Sequence, residues 1–185
     1  MSITTAATLA RLAGRLAAEG GLLEGALLPE ARIGGEAFAL GELAAGGPRA
    51  EADPEAFALV VEAAREGHLL HGGTSRILDA GDRDLAILAG DRLYALGLAD
   101  LAALGAVDAV RELADVIAVS AQARSRADGP LADAVWEGGA VAIGWGPTDA
   151  WERAKEAARA GGGDAPAALR RAADGARACT EVVTP

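Results

Sequence analysis

The chain has 185 residues, enough for one domain with a buried core. Apolar residues make up 51% but aromatic residues only 3%, so the core is built from Leu, Ala, Val and Ile, a mixture that predicts an all-α fold in a single helical bundle. The formal charge of -10 argues against a basic footprint for nucleic acid, one cysteine rules out an internal disulfide and points to a reducing cytoplasm, and no uninterrupted apolar run reaches membrane-spanning length.

Residues 4–19 read as a first helix, capped by Thr4 or Thr5, with Leu9, Leu12 and Leu16 at helical spacing. No signal peptide is expected, because residues 1–20 lack a compact apolar run behind basic residues. Gly20-Gly21 stops the helix. Residues 22–33 read as a short helical turn and a loop, and residues 36–45 as a second short helix ended by Gly46-Gly47-Pro48. Asp53-Pro54-Glu55 is a strong start: the Asp caps, the Pro fits the first turn and the Glu suits the positive end of the dipole. Phe57, Val60, Val61 and Ala64 then form one face. His68 and His71 continue it, while Glu62, Arg65 and Glu66 lie off it.

After a break at residues 72–75, Gly81 or Asp82 opens a helix through LAILAGDRLYALGLADLAALG, residues 85–105. It is apolar on almost every side, which predicts burial all round at the centre of the bundle. Gly90 in its interior points to a close packing contact. Asp91 beside it needs a partner if buried: a neighbouring helix terminus, Arg92 or His71. Residues 107–124 form an amphipathic helix with Val110, Leu113 and Ile117 inward and Arg111, Glu112 and Asp115 outward. Asp128-Gly129-Pro130 starts a helix over 131–143, where Gly138 and Gly139 allow close approach. Thr148 caps a helix over 149–160 whose exposed face mixes Glu152, Arg153, Lys155 and Glu156. After a hinge at 161–163, Asp164-Ala165-Pro166 starts a last helix running to about Cys179, with residues 180–185 as a loose tail.

Three stretches, in order, resemble the trans-isoprenyl diphosphate synthase family, the all-α polyprenyl synthetases. AILAGDRLYALGLADLAALG (86–105) is similar to the family's A-x-L-A-G-D-x-L helix. EAAREGHLLHGG (62–73) resembles its E-x-x-H-x-x-x-L-x-H-D-D helix, with His71 at the His before the aspartates. LADAVWEGGAVAIGWG (131–146) is similar to the helix carrying a Gly-Ala pair. The family joins an allylic diphosphate to isopentenyl diphosphate, and its two Asp-rich motifs hold the magnesium ions that neutralise charge on the leaving diphosphate. Here Gly72 and Gly73 replace the first aspartates. Asp79, Asp82 and Asp84 lack the i, i+4 spacing that converges on a metal, and Arg76 is the only base nearby. Ile33-Gly34-Gly35-Glu36 stands where the family's basic diphosphate grip belongs, and the second Asp-rich motif is absent. The resemblance therefore implies a truncated, degenerate member: a non-catalytic subunit that pairs with an active prenyltransferase and modulates prenyl chain elongation. It needs no cofactor of its own, and Mg²⁺ enters only where the active partner supplies the site.

No residue is assigned a catalytic role outright. His71, Asp91 and Tyr94 are the acid–base candidates of an alternative, a small enzyme or binding protein with an apolar pocket for a terpenoid or lipid-like ligand. A further alternative is a self-associating helical protein or homodimer. His68 and His71 form an i, i+3 pair of potential metal ligands, but no third ligand has suitable spacing, and two satisfied histidines on an apolar face are the preferred reading. For residues 72–75, a helix C-cap is preferred to a phosphate cradle. Trp136, Trp145 and Trp151 mark either a partner surface or plugs in an alanine-rich core. Cys179 has no partnered His.

Overall fold

A computed structural model describes residues 3–29 and 39–181. Helices α1 (Thr5–Glu19), α2 (Leu22–Gly25), α3 (Leu40–Ala45), α4 (Pro54–His71), α5 (Arg83–Ala103), α6 (Val107–Ser125), α7 (Gly129–Trp145), α8 (Asp149–Arg159) and α9 (Ala165–Glu181) are joined by short turns, one of them the 3-10 turn Pro48–Ala50. The fold is all-α, as expected. Among the described residues there is no strand, only a single antiparallel bridge between Leu27 and Leu78. No described helix is long and apolar enough to cross a membrane.

The polar residues expected to start helices do so. Thr4 accepts a hydrogen bond from the Ala7 N–H, Asp53 from Ala56, Asp82 from Asp84 and Leu85, Asp128 from Leu131, and Thr148 from Trp151. Each side chain satisfies N–H groups that the first turn leaves unpaired. Pro54 sits in the first turn of α4, where its missing N–H costs nothing. The helix expected over 36–45 begins at Leu40, and its residues 36–38 lie outside the described residues, as do 30–33 of the preceding loop and 182–185 of the tail. The last helix continues past Cys179 to Glu181.

The centre of the bundle is not α5. Twelve of the 18 residues of α4 are buried, and twelve of the 17 of α7. The 21-residue α5 buries only Ala86, Ala89, Gly90, Leu93, Leu96, Gly97 and Leu101. Its outer side carries Leu88 (64% exposed), Asp91, Arg92, Ala95 and Ala99. Exposed Ile87, Leu88, Ala95 and Ala99 are apolar without being buried, which is why the composition of this stretch overstated its burial. Its inner face packs on α4 across a narrow crossing, where a Cβ on Gly67 would lie 2.8 Å from the Gly90 carbonyl oxygen and one on Gly90 3.0 Å from that of Gly67. The close contact expected at Gly90 is therefore present. Gly138 and Gly139 act similarly on α7, giving room to Trp151 and Val116.

Several charges placed on outer faces by helical periodicity are buried instead. Glu62 and Glu66 are fully buried, and Arg76, in the segment after α4, bridges both carboxylates. Glu62 also accepts from the Gly41 N–H (2.8 Å), and Glu66 from the Ser75 hydroxyl (2.5 Å) and the Arg76 N–H (2.9 Å). On α6, Glu112 is 2% exposed and accepts from Lys155 Nζ (2.9 Å) and the Trp151 indole (2.8 Å), while Val110 and Ile117 are only half-buried. Lys155, expected outside, is 1% exposed and also reaches Asp115 at 2.7 Å. Charges can enter a core in this way because each finds its counter-charge there.

Candidate functional site

The second half of α4 carries the candidate histidines, and its turns send them to different neighbours. His71 shares the side of α4 that crosses α5 with Gly67. Its ring lies over Gly90, where a Cβ would stand 2.8 Å from Cδ2, and stacks on Tyr94 with centroids 5.3 Å apart and planes 12° from parallel. His71 Nε2 lies 3.1 Å from Asp91 Oδ1. The approach is too far off-line to count as a hydrogen bond, and Nε2 otherwise has no partner. Asp91 is thus not the buried carboxylate expected from its place in an apolar helix. Its side chain is 65% exposed, and among the partners considered for it, His71 is the one it meets.

His68, three residues earlier, faces α7. It is 6% exposed and meets the Trp136 ring edge-on, with centroids 5.4 Å apart. Burial, reinforced by the positive charges of Arg124 and Arg65, drives its pKa down to about 3, so the imidazole is neutral. Arg65, one turn earlier, places its guanidinium 5.5 Å from the same indole. Its carboxylate neighbour is Asp133 at 3.5 Å, and burial opposes its charge. Arg124, near the end of α6, donates to the His68 carbonyl oxygen. It is half-buried, and among the described residues it forms no ion pair. Burial also pushes the Tyr94 hydroxyl up to about 12, so it remains a phenol.

The structure therefore gathers all four candidates, His68, His71, Asp91 and Tyr94, at the junction of α4 with α5, α6 and α7. It adds three residues to which periodicity gave no site role: Arg65, Arg124 and Trp136. Both arginines look like solvated charges on a helical wheel, and only the fold brings them to the same place. A signal existed for Arg65 in its i, i+3 spacing from His68, although the apolar face drawn through Phe57, Val60, Val61 and Ala64 left it outside.

The two histidines point apart, His68 to α7 and His71 to α5, so they do not converge as a metal pair would. Among the described residues, no three His, Cys, Asp or Glu side chains come together in the manner of a metal site. Residues 72–75 close α4 as a helix cap: Gly73, at φ 79°, donates to the Leu70 carbonyl and Thr74 to that of Leu69. The Ser75 hydroxyl is committed to Glu66. Trp136 and Trp151 are 1% and 2% exposed, so they plug the alanine-rich core and do not offer a partner surface; Trp145 is half-buried against Gly46. Cys179 is exposed. Open grooves between α8 and α9 (about 300 Å³, lined by Ala150, Arg153 and Ala168) and beside α7 (about 240 Å³, lined by Leu43, Glu137 and Arg170) hold none of the candidate residues.

Comparison with known protein families, curated proteins and solved structures finds no match to this chain.

Proposed function

We propose that the chain is a non-catalytic, isoprenyl-synthase-like helical subunit that pairs with an active prenyltransferase and adjusts how far that enzyme extends its product. The observation that carries this reading is the use of carboxylates around the end of α4. Glu62 and Glu66 are bound to Arg76, Asp82 caps α5, and Asp79 accepts from the Gly81 N–H at 3.0 Å. Gly72 and Gly73 close the helix where the resembling family carries aspartates. These groups do not fit Mg²⁺ bound to a diphosphate, which requires free carboxylates converging on one point. The outer face of α5, with Leu88 64% and Ile87 36% exposed, supplies apolar surface for a partner. A cytoplasmic setting, in which the exposed Cys179 stays a thiol, belongs to the same proposal.

The test is a Mg²⁺-dependent prenyltransfer assay with an active synthase, the purified chain alone, and the two together, reading turnover and product length. The proposal expects no turnover by the chain alone and a changed product length in the mixture. Turnover by the isolated chain overturns the non-catalytic reading, and an unchanged product overturns the regulatory one.

A second reading, a protein acting on a lipid-like ligand with its own acid–base groups, draws on the meeting of His71, Asp91 and Tyr94. It expects binding of a prenyl alcohol to the isolated chain that weakens on His71→Phe; equal binding by that variant removes it.

A further inference from the structure

Trp136 meets both Arg65 and His68, and each of the three side chains holds a nitrogen sealed from solvent and without a hydrogen-bond partner: Nη1 of Arg65, Nδ1 of His68 and Nε1 of Trp136. A buried polar group left unpaired costs about 1–3 kcal/mol, and native proteins rarely tolerate several in one place. The chemistry of the missing partner follows from the groups themselves. A guanidinium and an indole N–H only donate, and a neutral imidazole nitrogen donates in one tautomer, so the partner is an acceptor.

Its charge follows from the surroundings. Two cationic guanidinium groups, Arg124 and Arg65, act on His68. Arg124 is engaged with the His68 carbonyl and forms no ion pair among the described residues. Arg65 has Asp133 at 3.5 Å, 44% exposed. Glu62 and Glu66 are taken up by Arg76, Gly41 and Ser75. Arg65, His71, Tyr94 and Arg124 are half-buried, so the cluster reaches the surface.

We propose that the cluster of Arg65, His68, Tyr94, Arg124 and Trp136 binds a small oxyanion, a phosphoryl or carboxylate group, at the junction of α4, α5, α6 and α7. Guanidinium groups suit either oxyanion because their paired N–H donors match two oxygens at once. The inference stands independently of the prenyltransferase reading, since it rests on groups that no diphosphate-ionising site requires.

The indole N–H resonances of the intact protein test it directly. Inorganic phosphate and, separately, acetate are titrated at constant ionic strength set with sodium chloride. The Trp136 indole N–H is expected to shift saturably with one or both anions. Trp151, whose indole is already bound to Glu112 at 2.8 Å, serves as the internal control. Saturation by phosphate alone assigns a phosphoryl ligand, and saturation by acetate as well extends the site to carboxylates. Arg65→Met and Arg124→Met are expected to weaken binding about tenfold or more, the scale of one charge-assisted hydrogen bond. Arg83→Met, the same change of charge on the exposed start of α5, is expected to leave it unchanged. Unmoved Trp136 signals with both anions, as an internal water alone would give, overturn the proposal, and so does an equal loss in Arg83→Met. The wild-type titration decides the question even where a variant fails to fold.

Discussion

Helix α4 carries two polar clusters that treat their charges in opposite ways. Toward the 74–78 segment, Glu62 and Glu66 are completely buried, and both carboxylates are paired: Arg76 binds both and Gly41 and Ser75 donate to them as well, while one nitrogen, Arg76 Nη1, is left without a partner. Toward α7, Arg65, His68 and Trp136 are in contact but leave three nitrogens unpaired. The first cluster balances its buried charges and explains itself as architecture, since it staples the chain after α4 back onto that helix. The second is incomplete within the protein, and incompleteness of this kind belongs to a site that meets something else. Burial alone does not separate the two clusters; whether their buried charges and donors find partners does, with one nitrogen unpaired in the first and three in the second.

The largest expected effect lies in the cluster of Glu62, Glu66 and Arg76. Arg76→Met strands two carboxylates without a counter-charge and should destabilise the protein by about 3–5 kcal/mol in urea unfolding. A loss below 1 kcal/mol would show that Arg76 does not hold the two carboxylates as described.

The next lies in the pH dependence of the open cluster. The folded pKa of His68 is about 3, below the ordinary 6.5, so between these values the unfolded chain binds a proton that the folded chain refuses. Its contribution to stability is complete above pH 6.5 and is lost as the pH falls. Between pH 6.5 and 4 the loss approaches about 3 kcal/mol, at roughly 1.4 kcal/mol per unit. His68→Phe, which keeps the edge contact with Trp136, should flatten this part of the stability–pH curve; an unchanged slope would contradict the buried neutral imidazole.

A smaller effect belongs to the crossing that carries His71. Gly90→Ala adds a methyl group 2.8 Å from His71 Cδ2 and 3.0 Å from the Gly67 carbonyl. Overpacking should outweigh the gain in helix propensity of about 1 kcal/mol and leave a net loss of roughly 1–2 kcal/mol, measured by thermal or urea unfolding.

Much of this architecture is legible in the residues themselves. Thr4, Asp53, Asp82, Asp128 and Thr148 announce their helices because a cap is a local interaction, complete within four residues. Gly90 announces a close contact because a glycine inside a helix costs stability and invites a packing reason. The burial of Glu62, Glu66, Glu112 and Lys155 is not legible, because the counter-charges arrive from elsewhere: Arg76 from the segment after the helix, and Lys155 from 43 residues along the chain. The same holds for the site. His68, His71, Asp91 and Tyr94 stand out by residue type, whereas Arg65 and Arg124 acquire meaning only when α6 and α7 close over α4. The central position expected for α5 fails for a different reason: alanine is apolar on both faces of a helix, so composition cannot say which face is covered.

The most direct test compares Arg65→Met with Arg76→Met by urea unfolding at neutral pH in a buffer free of phosphate and carboxylate. Both changes remove one guanidinium beside α4 and keep a long apolar stem. The contrast between a cluster with paired buried carboxylates and one without predicts a loss of about 3–5 kcal/mol for Arg76→Met and less than about 1 kcal/mol for Arg65→Met, whose neighbours keep no stranded buried carboxylate. Equal losses for the two variants would contradict it.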